Sequence, residues 1–118
     1  MKLSPLSFTP TFLILAMSPL SLLPAQLHAE TITITGDGSS VPFRFEPANA
    51  TVKSGDKITW VNQTKVEHSV TPDAGFQKKL KGKDIEASES YSAAIKSGPI
   101  KYHCKYHPNM KATIAVEK

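Results

Sequence analysis

Hydrophobic and polar residues alternate along much of the chain after residue 30. The clearest example is the segment 31–35, in which Ile32 and Ile34 are separated by threonines. A period of two indicates a strand with one face toward a core. No helical repeat of comparable strength appears in this region. The pattern therefore predicts an all-β domain.

Six further segments show the same kind of pattern and are predicted as strands: 41–46, 57–62, 66–71, 90–95, 99–105 and 110–117. The stretch 72–87 is predicted as a loop, because Pro72 cannot donate to a strand ladder and lysines crowd its middle. About seven to eight short strands at this spacing fit a two-sheet β-sandwich better than a closed barrel.

The N-terminal segment has the layout of a secretory signal peptide. Lys2 is followed by the apolar run 12–17 and then by a small residue, Ala29, after which we expect cleavage. Ala25 is the alternative cleavage position. An uncleaved membrane anchor is the competing interpretation, but four prolines interrupt the segment, and its apolar run is shorter than the roughly 20 residues of a membrane span. We therefore expect one exported domain, 30–118, with no stable insertion in a membrane.

Charge changes this picture little. The full chain of 118 residues carries a formal net charge of +4, and loss of Lys2 with the signal peptide lowers this charge by one. This excess is too small, and too poorly mixed with aromatic residues, to indicate nucleic-acid binding. We expect a small monomer in an exported compartment such as a periplasm or a thylakoid lumen.

The exported chain would keep one Cys, one Met and three His. An oxidising compartment makes the single thiol of Cys104 unusual, because it has no partner for an internal disulfide. Cys104, His107 and Met110 form a C-x-x-H-x-x-M motif, and His68 lies on an earlier predicted strand. A thiolate, two imidazoles and a weak thioether are the donors of blue-copper sites.

Strand phase supports a joint role for these residues. Three core-facing sets follow from the period of two: Ile100, Tyr102 and Cys104; Val66, His68 and Val70; Met110, Ile114 and Val116. The opposite phase sends Glu67, Ser69 and His103 outward, so His103 is predicted to be a surface histidine. Taken singly, a buried Cys, Met or His is an ordinary core residue. Together, they favour a metal site.

Longer segments resemble the cupredoxin family, in particular its small amicyanin-like and plastocyanin-like members. These segments are 43–47, 52–62, 67–70 and 102–104, in that order, and the short C-x-x-H-x-x-M spacing is closest to the amicyanin type. The resemblance implies a Greek-key β-sandwich with one copper ion that cycles between Cu(I) and Cu(II). It also implies His68, Cys104, His107 and Met110 as the ligands.

The resemblance extends to two residues beside the site. Asn62 matches a position that braces the ligand loop through hydrogen bonds. Ser69 departs from the family pattern, which usually has Asn directly after the upstream His. Because Ser is shorter, we expect a weaker or different tether of the Cys segment.

A site closed by four protein ligands leaves no open position for a substrate, so a soluble one-electron carrier is the leading hypothesis, and we expect no enzymatic activity. Copper delivery or storage is the alternative. Catalysis by Cys104 with a histidine and Asn62 is disfavoured, because so small a domain has little room for a cleft. We expect redox partner proteins, and a basic cluster could dock an acidic partner or be a solvated loop: Lys78, Lys79, Lys81 and Lys83.

Overall fold

A computed structural model describes residues 29–118 of the chain. The predicted signal peptide, 1–29, lies outside the described residues except for Ala29. Within 29–118 the chain forms nine strands and no helix. Consistent with this, the described part offers no helix that could cross a bilayer.

The strands follow one another in two packed sheets. Their bounds are β1 Ala29–Thr35, β2 Arg44–Glu46, β3 Asn49–Lys53, β4 Lys57–Asn62, β5 His68–Pro72, β6 Lys83–Ile85, β7 Ser90–Ala94, β8 Ile100–Cys104 and β9 His107–Glu117. The first sheet has the order β2-β1-β4-β7, and the second has the order β3-β9-β8-β5-β6. Both sheets are mixed, because β1 pairs in parallel with β4, and β3 with β9. The prediction of an all-β sandwich is confirmed.

Alternation along the strands builds the core between the sheets. In β8 the burial pattern places Ile100, Tyr102 and Cys104 inside, and in β4 it places Ile58, Trp60 and Asn62 inside. Large aromatic rings join the two layers. The Trp60 Nε1–H group of the first sheet donates a hydrogen bond of 3.1 Å to the Tyr102 hydroxyl of the second.

Two strands of the structure lie outside the predicted set. β3 has the expected alternation, with Ala50 and Val52 buried, but Ala is too small to give a strong hydrophobic signal. β6 lies inside the predicted loop 72–87, where its three residues are too few to show a period. Pro72 is the last residue of β5, since a strand end tolerates a residue that cannot donate.

The predicted strand phase was wrong at two positions near His68. Val66 is 43% exposed, and Ser69 is fully buried. The cause is that β5 begins only at His68, so residues 64–66 form a bend with no strand period. In β5 itself His68, Ser69 and Val70 are all buried. The Ser69 side chain, on the other face from His68 and Val70, is covered by Thr71 and by the segment of Lys105, whose N–H donates to the Ser69 hydroxyl.

The hydrogen bond between Trp60 and Tyr102 should contribute to the stability of the fold. Tyr102→Phe keeps the ring but leaves the buried indole N–H without an acceptor, so unfolding free energy should fall by about 1 to 3 kcal/mol. Urea denaturation of the copper-free protein measures this loss. Tyr91→Phe is the matched control, since the Tyr91 hydroxyl donates to the Lys81 carbonyl in an exposed hydrogen bond. An equal loss in both variants would contradict the prediction.

Candidate metal centre

Three neighbouring strands bring the predicted donors to one end of the second sheet. His68 is the first residue of β5, Cys104 is the last residue of β8, and His107 is the first residue of β9. β8 lies between β9 and β5 in the sheet. Because β8 is antiparallel to both neighbours, its end lies beside their beginnings. Cys104 and His107 face each other as partners across a two-residue turn.

The donor atoms are close enough to share one metal ion. Cys104 Sγ lies 3.7 Å from Nδ1 of His68 and 3.5 Å from Nδ1 of His107. One ligand atom from each of the three residues lies within 4.8 Å of the others. Bonds of about 2.3 Å to sulfur and 2.0 Å to nitrogen, meeting at 120°, would separate the donors by roughly 3.7 Å. The thiol and the two imidazoles therefore fit a trigonal metal site.

Met110 approaches the same region from β9. Its side chain is 2% exposed, and it lines one shallow surface depression together with His107 and Phe43. It shares the core-facing phase with Ile114, which is fully buried. A thioether in this place is available as the fourth, weaker donor of a copper site.

His68 is held as a neutral imidazole. Burial, and secondarily the neighbouring His107, lowers the pKa of His68 to about 4. Its Nε2 atom lies 2.9 Å from the hydroxyl of Thr64. Since Nδ1 faces the thiol and Nε2 faces this hydroxyl, a proton on Nε2 leaves the Nδ1 lone pair free for a metal.

Asn62 holds the position of the Thr64 hydroxyl, which in turn contacts His68. Its Oδ1 atom accepts hydrogen bonds from the Thr64 hydroxyl at 2.8 Å and from the Thr64 N–H at 2.9 Å. Its Nδ2 group donates to the carbonyls of Val66, Ile85 and Glu86. One buried amide thus joins the bend before β5 to the end of β6. These hydrogen bonds connect Asn62 with the segment that precedes His68, and its role as a brace of the ligand loop stays a prediction.

Ser69 ties the Cys104 segment to β5 at two points. The Ser69 N–H donates to Cys104 Sγ at 3.3 Å, and the Lys105 N–H donates to the Ser69 hydroxyl at 2.8 Å. The hydroxyl also lies 2.7 Å from that of Thr71. The shorter side chain therefore still tethers the segment, and Ser69 is buried where strand phase predicted an exposed residue.

Phe43 covers the site from the side of the first sheet. Its ring centroid lies 4.6 Å from that of His68 and 4.9 Å from that of His107. Gly38 makes this position possible, since a Cβ there would come within 2.6 Å of the Phe43 ring, and its φ of +82° favours glycine. The ring restricts access of solvent to the two imidazoles.

Glu67 and His103, which strand phase predicted to face outward, lie away from the predicted donors. Glu67 is exposed. His103 is half-buried on the opposite face of β8, where its Nδ1 atom lies 2.6 Å from a carboxylate oxygen of Asp73. Both residues lie outside the donor cluster.

Sequence reasoning missed Thr64 and Phe43. The period of two through Ile58, Trp60 and Asn62 continues to Thr64, so extending the phase of β4 by two residues would have placed Thr64 inside. Phe43 precedes the short β2 and has no strand phase of its own, and only the folded structure shows that it reaches both imidazoles.

Comparisons with known proteins agree with this geometry. Residues 31–117 match the model of a family described as copper binding proteins, plastocyanin/azurin family. The chain is 34% identical to an amicyanin of Paracoccus denitrificans over 77 residues, which are 63% of this chain and 59% of that relative. It is 31% identical to a plastocyanin of Scenedesmus fuscus over 97 residues, which are 73% of this chain and 99% of that relative.

A solved structure of an amicyanin mutant in its reduced Cu(I) form superimposes on the chain with a TM-score of 0.65 and 28% identity. The match covers 82% of this chain and 88% of that structure. With the amicyanin of Paracoccus denitrificans, by contrast, the alignment spans less than two thirds of the relative's length. The family match takes in nearly all of the described residues. The chain therefore belongs to the plastocyanin/azurin family of copper-binding proteins.

Proposed function

We propose that the chain is a one-electron carrier that holds one copper ion through His68, Cys104, His107 and Met110. The observation that carries this proposal is the spacing of the Cys104 sulfur from the two Nδ1 atoms, 3.7 and 3.5 Å. A thiolate with two imidazoles at this spacing is the equatorial donor set of blue-copper electron-transfer sites. Met110 would supply a thioether as the fourth, weaker donor.

Copper in such a set supplies a Cu(I)/Cu(II) couple that accepts or releases one electron. The protein contributes donors that are already in place. Cys104 and His68 are fully buried, and hydrogen bonds fix their positions from β5 and from Thr64. His107 is half-buried, so it is the donor nearest to solvent and is the proposed route for electrons. With four protein donors around the metal, no position is left for a substrate, and we propose no enzymatic activity.

Colour tests the proposal directly. Copper-loaded protein should be intensely blue and should bleach reversibly on reduction, because charge transfer from the Cys104 thiolate to Cu(II) produces the colour. Cys104→Ala should abolish colour and copper binding. Met110→Leu is the matched control, since it removes only the weaker thioether donor and should keep both. A protein that binds Cu(I) and stays colourless under oxidation would instead favour copper delivery.

Thr64 offers a test of how the site is supported. Thr64→Val keeps the shape of the side chain but removes the hydroxyl beside His68 Nε2, and losses of this kind lower metal affinity by roughly 10- to 100-fold. A competitive copper titration measures the change. Thr59→Val is the control, because the Thr59 hydroxyl contacts only that of Ser92 in an exposed pair. Equal affinities in the two variants would contradict a role for Thr64.

We propose an exported location for this function. The support is the N-terminal pattern of Lys2, an apolar run and Ala29. Cleavage after Ala29 would release the domain 30–118 into a periplasm or a comparable compartment as a monomer.

We also propose that a basic surface guides an acidic redox partner. Four exposed lysines form this basic surface: Lys78, Lys79, Lys81 and Lys83. Within residues 29–118, none of them is paired with a carboxylate. Leu80 is 3% exposed and anchors the loop in the core, while the Lys81 carbonyl accepts from Tyr91. The positive charges are thus presented on an anchored loop and on the first residue of β6.

Small redox probes of opposite charge test the basic surface. Lys78→Gln with Lys81→Gln should slow oxidation of the reduced protein by ferricyanide severalfold at low salt, and the difference should vanish at high salt. A cationic cobalt(III) complex should react faster with the same variant. Lys53→Gln with Lys118→Gln is the control, since Lys53 pairs with Glu117, next to Lys118, on the β3 side of the second sheet, opposite β6. Rates that ignore the first pair of substitutions would indicate a merely solvated loop.

A further inference from the structure

The turn between Cys104 and His107 consists of two exposed residues, Lys105 and Tyr106. Both side chains reach one carboxylate on the neighbouring edge strand β6. Lys105 Nζ lies 2.9 Å from Oδ1 of Asp84, and the Tyr106 hydroxyl donates to Oδ2 of Asp84 at 3.0 Å. The two oxygens of Asp84 thus bind two successive residues of the turn.

Asp84 is itself well placed in the sheet. It pairs with Ser69 across β5 and β6, and the Ser69 hydroxyl accepts the Lys105 N–H at 2.8 Å. The turn is therefore attached to adjacent strands at three points, one through its backbone and two through side chains. Lys105 Nζ also lies 5.2 Å from the centre of the Tyr106 ring, so the two side chains support each other.

The protonation behaviour of these groups agrees with the contacts. Hydrogen bonds from Lys105 and then Tyr106 lower the pKa of Asp84. The hydrogen bond to Asp84 in turn raises the pKa of Lys105 and that of Tyr106. The lowered pKa of Asp84 favours the ionised carboxylate that both contacts require.

We propose that Asp84 is a positioning residue that holds the Lys105-Tyr106 turn and so fixes His107 relative to Cys104. The importance of the turn follows from its length. With only two residues between the proposed thiolate and the proposed imidazole donor, a shift of the turn moves His107 directly. Phe43 and His68 contact the His107 ring, and Asp84 restrains the backbone that carries it. The contacts of Asp84 with Lys105 and Tyr106 are called the clamp below. The effect of the clamp on electron transfer rests on the proposed copper site, whereas the clamp itself does not.

Amide hydrogen exchange in the full chain, first without copper, tests the clamp. The Lys105 N–H is the reporter, because its acceptor is the Ser69 hydroxyl. Asp84→Ala should accelerate its exchange about fivefold, as expected for loss of contacts with an exposed carboxylate, while core amides such as that of Ile114 stay unchanged. Glu117→Ala is the matched control, since it removes an exposed carboxylate at the other end of β9, ten residues from His107.

A second substitution separates positioning from a general loss of stability. Tyr106→Phe should accelerate exchange of the Lys105 N–H in the native background but add nothing in the Asp84→Ala background, because the contact is already absent there. After copper loading, Asp84→Ala should shift or broaden the thiolate-to-copper absorption band, and Glu117→Ala should leave it unchanged. Unchanged exchange at Lys105 in Asp84→Ala would overturn the proposal. If exchange at Lys105 is faster in Asp84→Ala but the native protein does not turn blue with copper, the clamp is retained and the copper site is refuted.

Discussion

The close approach of Cys104 Sγ to two imidazole nitrogens is the constraint on which the rest of this structure depends. Three polar groups meet at the end of an apolar core, and burial of unpaired polar groups is costly. Each donor therefore needs support from the chain around it. The fold supplies this support by ending one strand and beginning two others at the same point, so that backbone and side-chain hydrogen bonds surround the donors.

Support for the site passes mainly through one residue of the first sheet. Asn62 ends β4, and its buried amide makes hydrogen bonds to the bend before β5 and to the end of β6. Those two segments carry Thr64, which contacts His68, and Asp84, which contacts the ligand turn. The first sheet has no metal donor of its own, but it holds the positions of two segments that contact the donors or their turn.

The sequence predicted the parts of this arrangement that depend on strand period. Cys104 and Met110 were placed on the core face because their strands alternate cleanly through Tyr102 and Ile114, and both are buried. The same reasoning was wrong at Ser69, because β5 is enclosed on both faces and no period survives there. Thr64 was overlooked because it follows the end of β4, although it continues the phase of that strand.

The alternation of hydrophobic and polar residues cannot predict contacts between segments that are far apart in the chain. Phe43 lies 25 residues or more from either imidazole that it touches, and only the packing of the two sheets brings them together. The link between Asp84 and the ligand turn likewise spans 22 residues. The residues that form the donor set carry a recognisable motif because their chemistry is specific. The residues that position the donors act through packing and hydrogen bonds. Many residue types can make such contacts, so these residues do not form a recognisable sequence motif.

An electron carrier needs a metal site whose shape changes little between oxidation states, yet whose edge is open to a partner. The structure divides these requirements between the two imidazoles. His68 is enclosed and fixed through Thr64, whereas His107 is half-buried beside a surface depression. The exposed donor cannot be fixed by burial, so its restraint has to come from its own short turn, from the Phe43 ring and from Asp84. This division explains why the exposed side of the site has a dense set of side-chain contacts where a surface turn would ordinarily be left free.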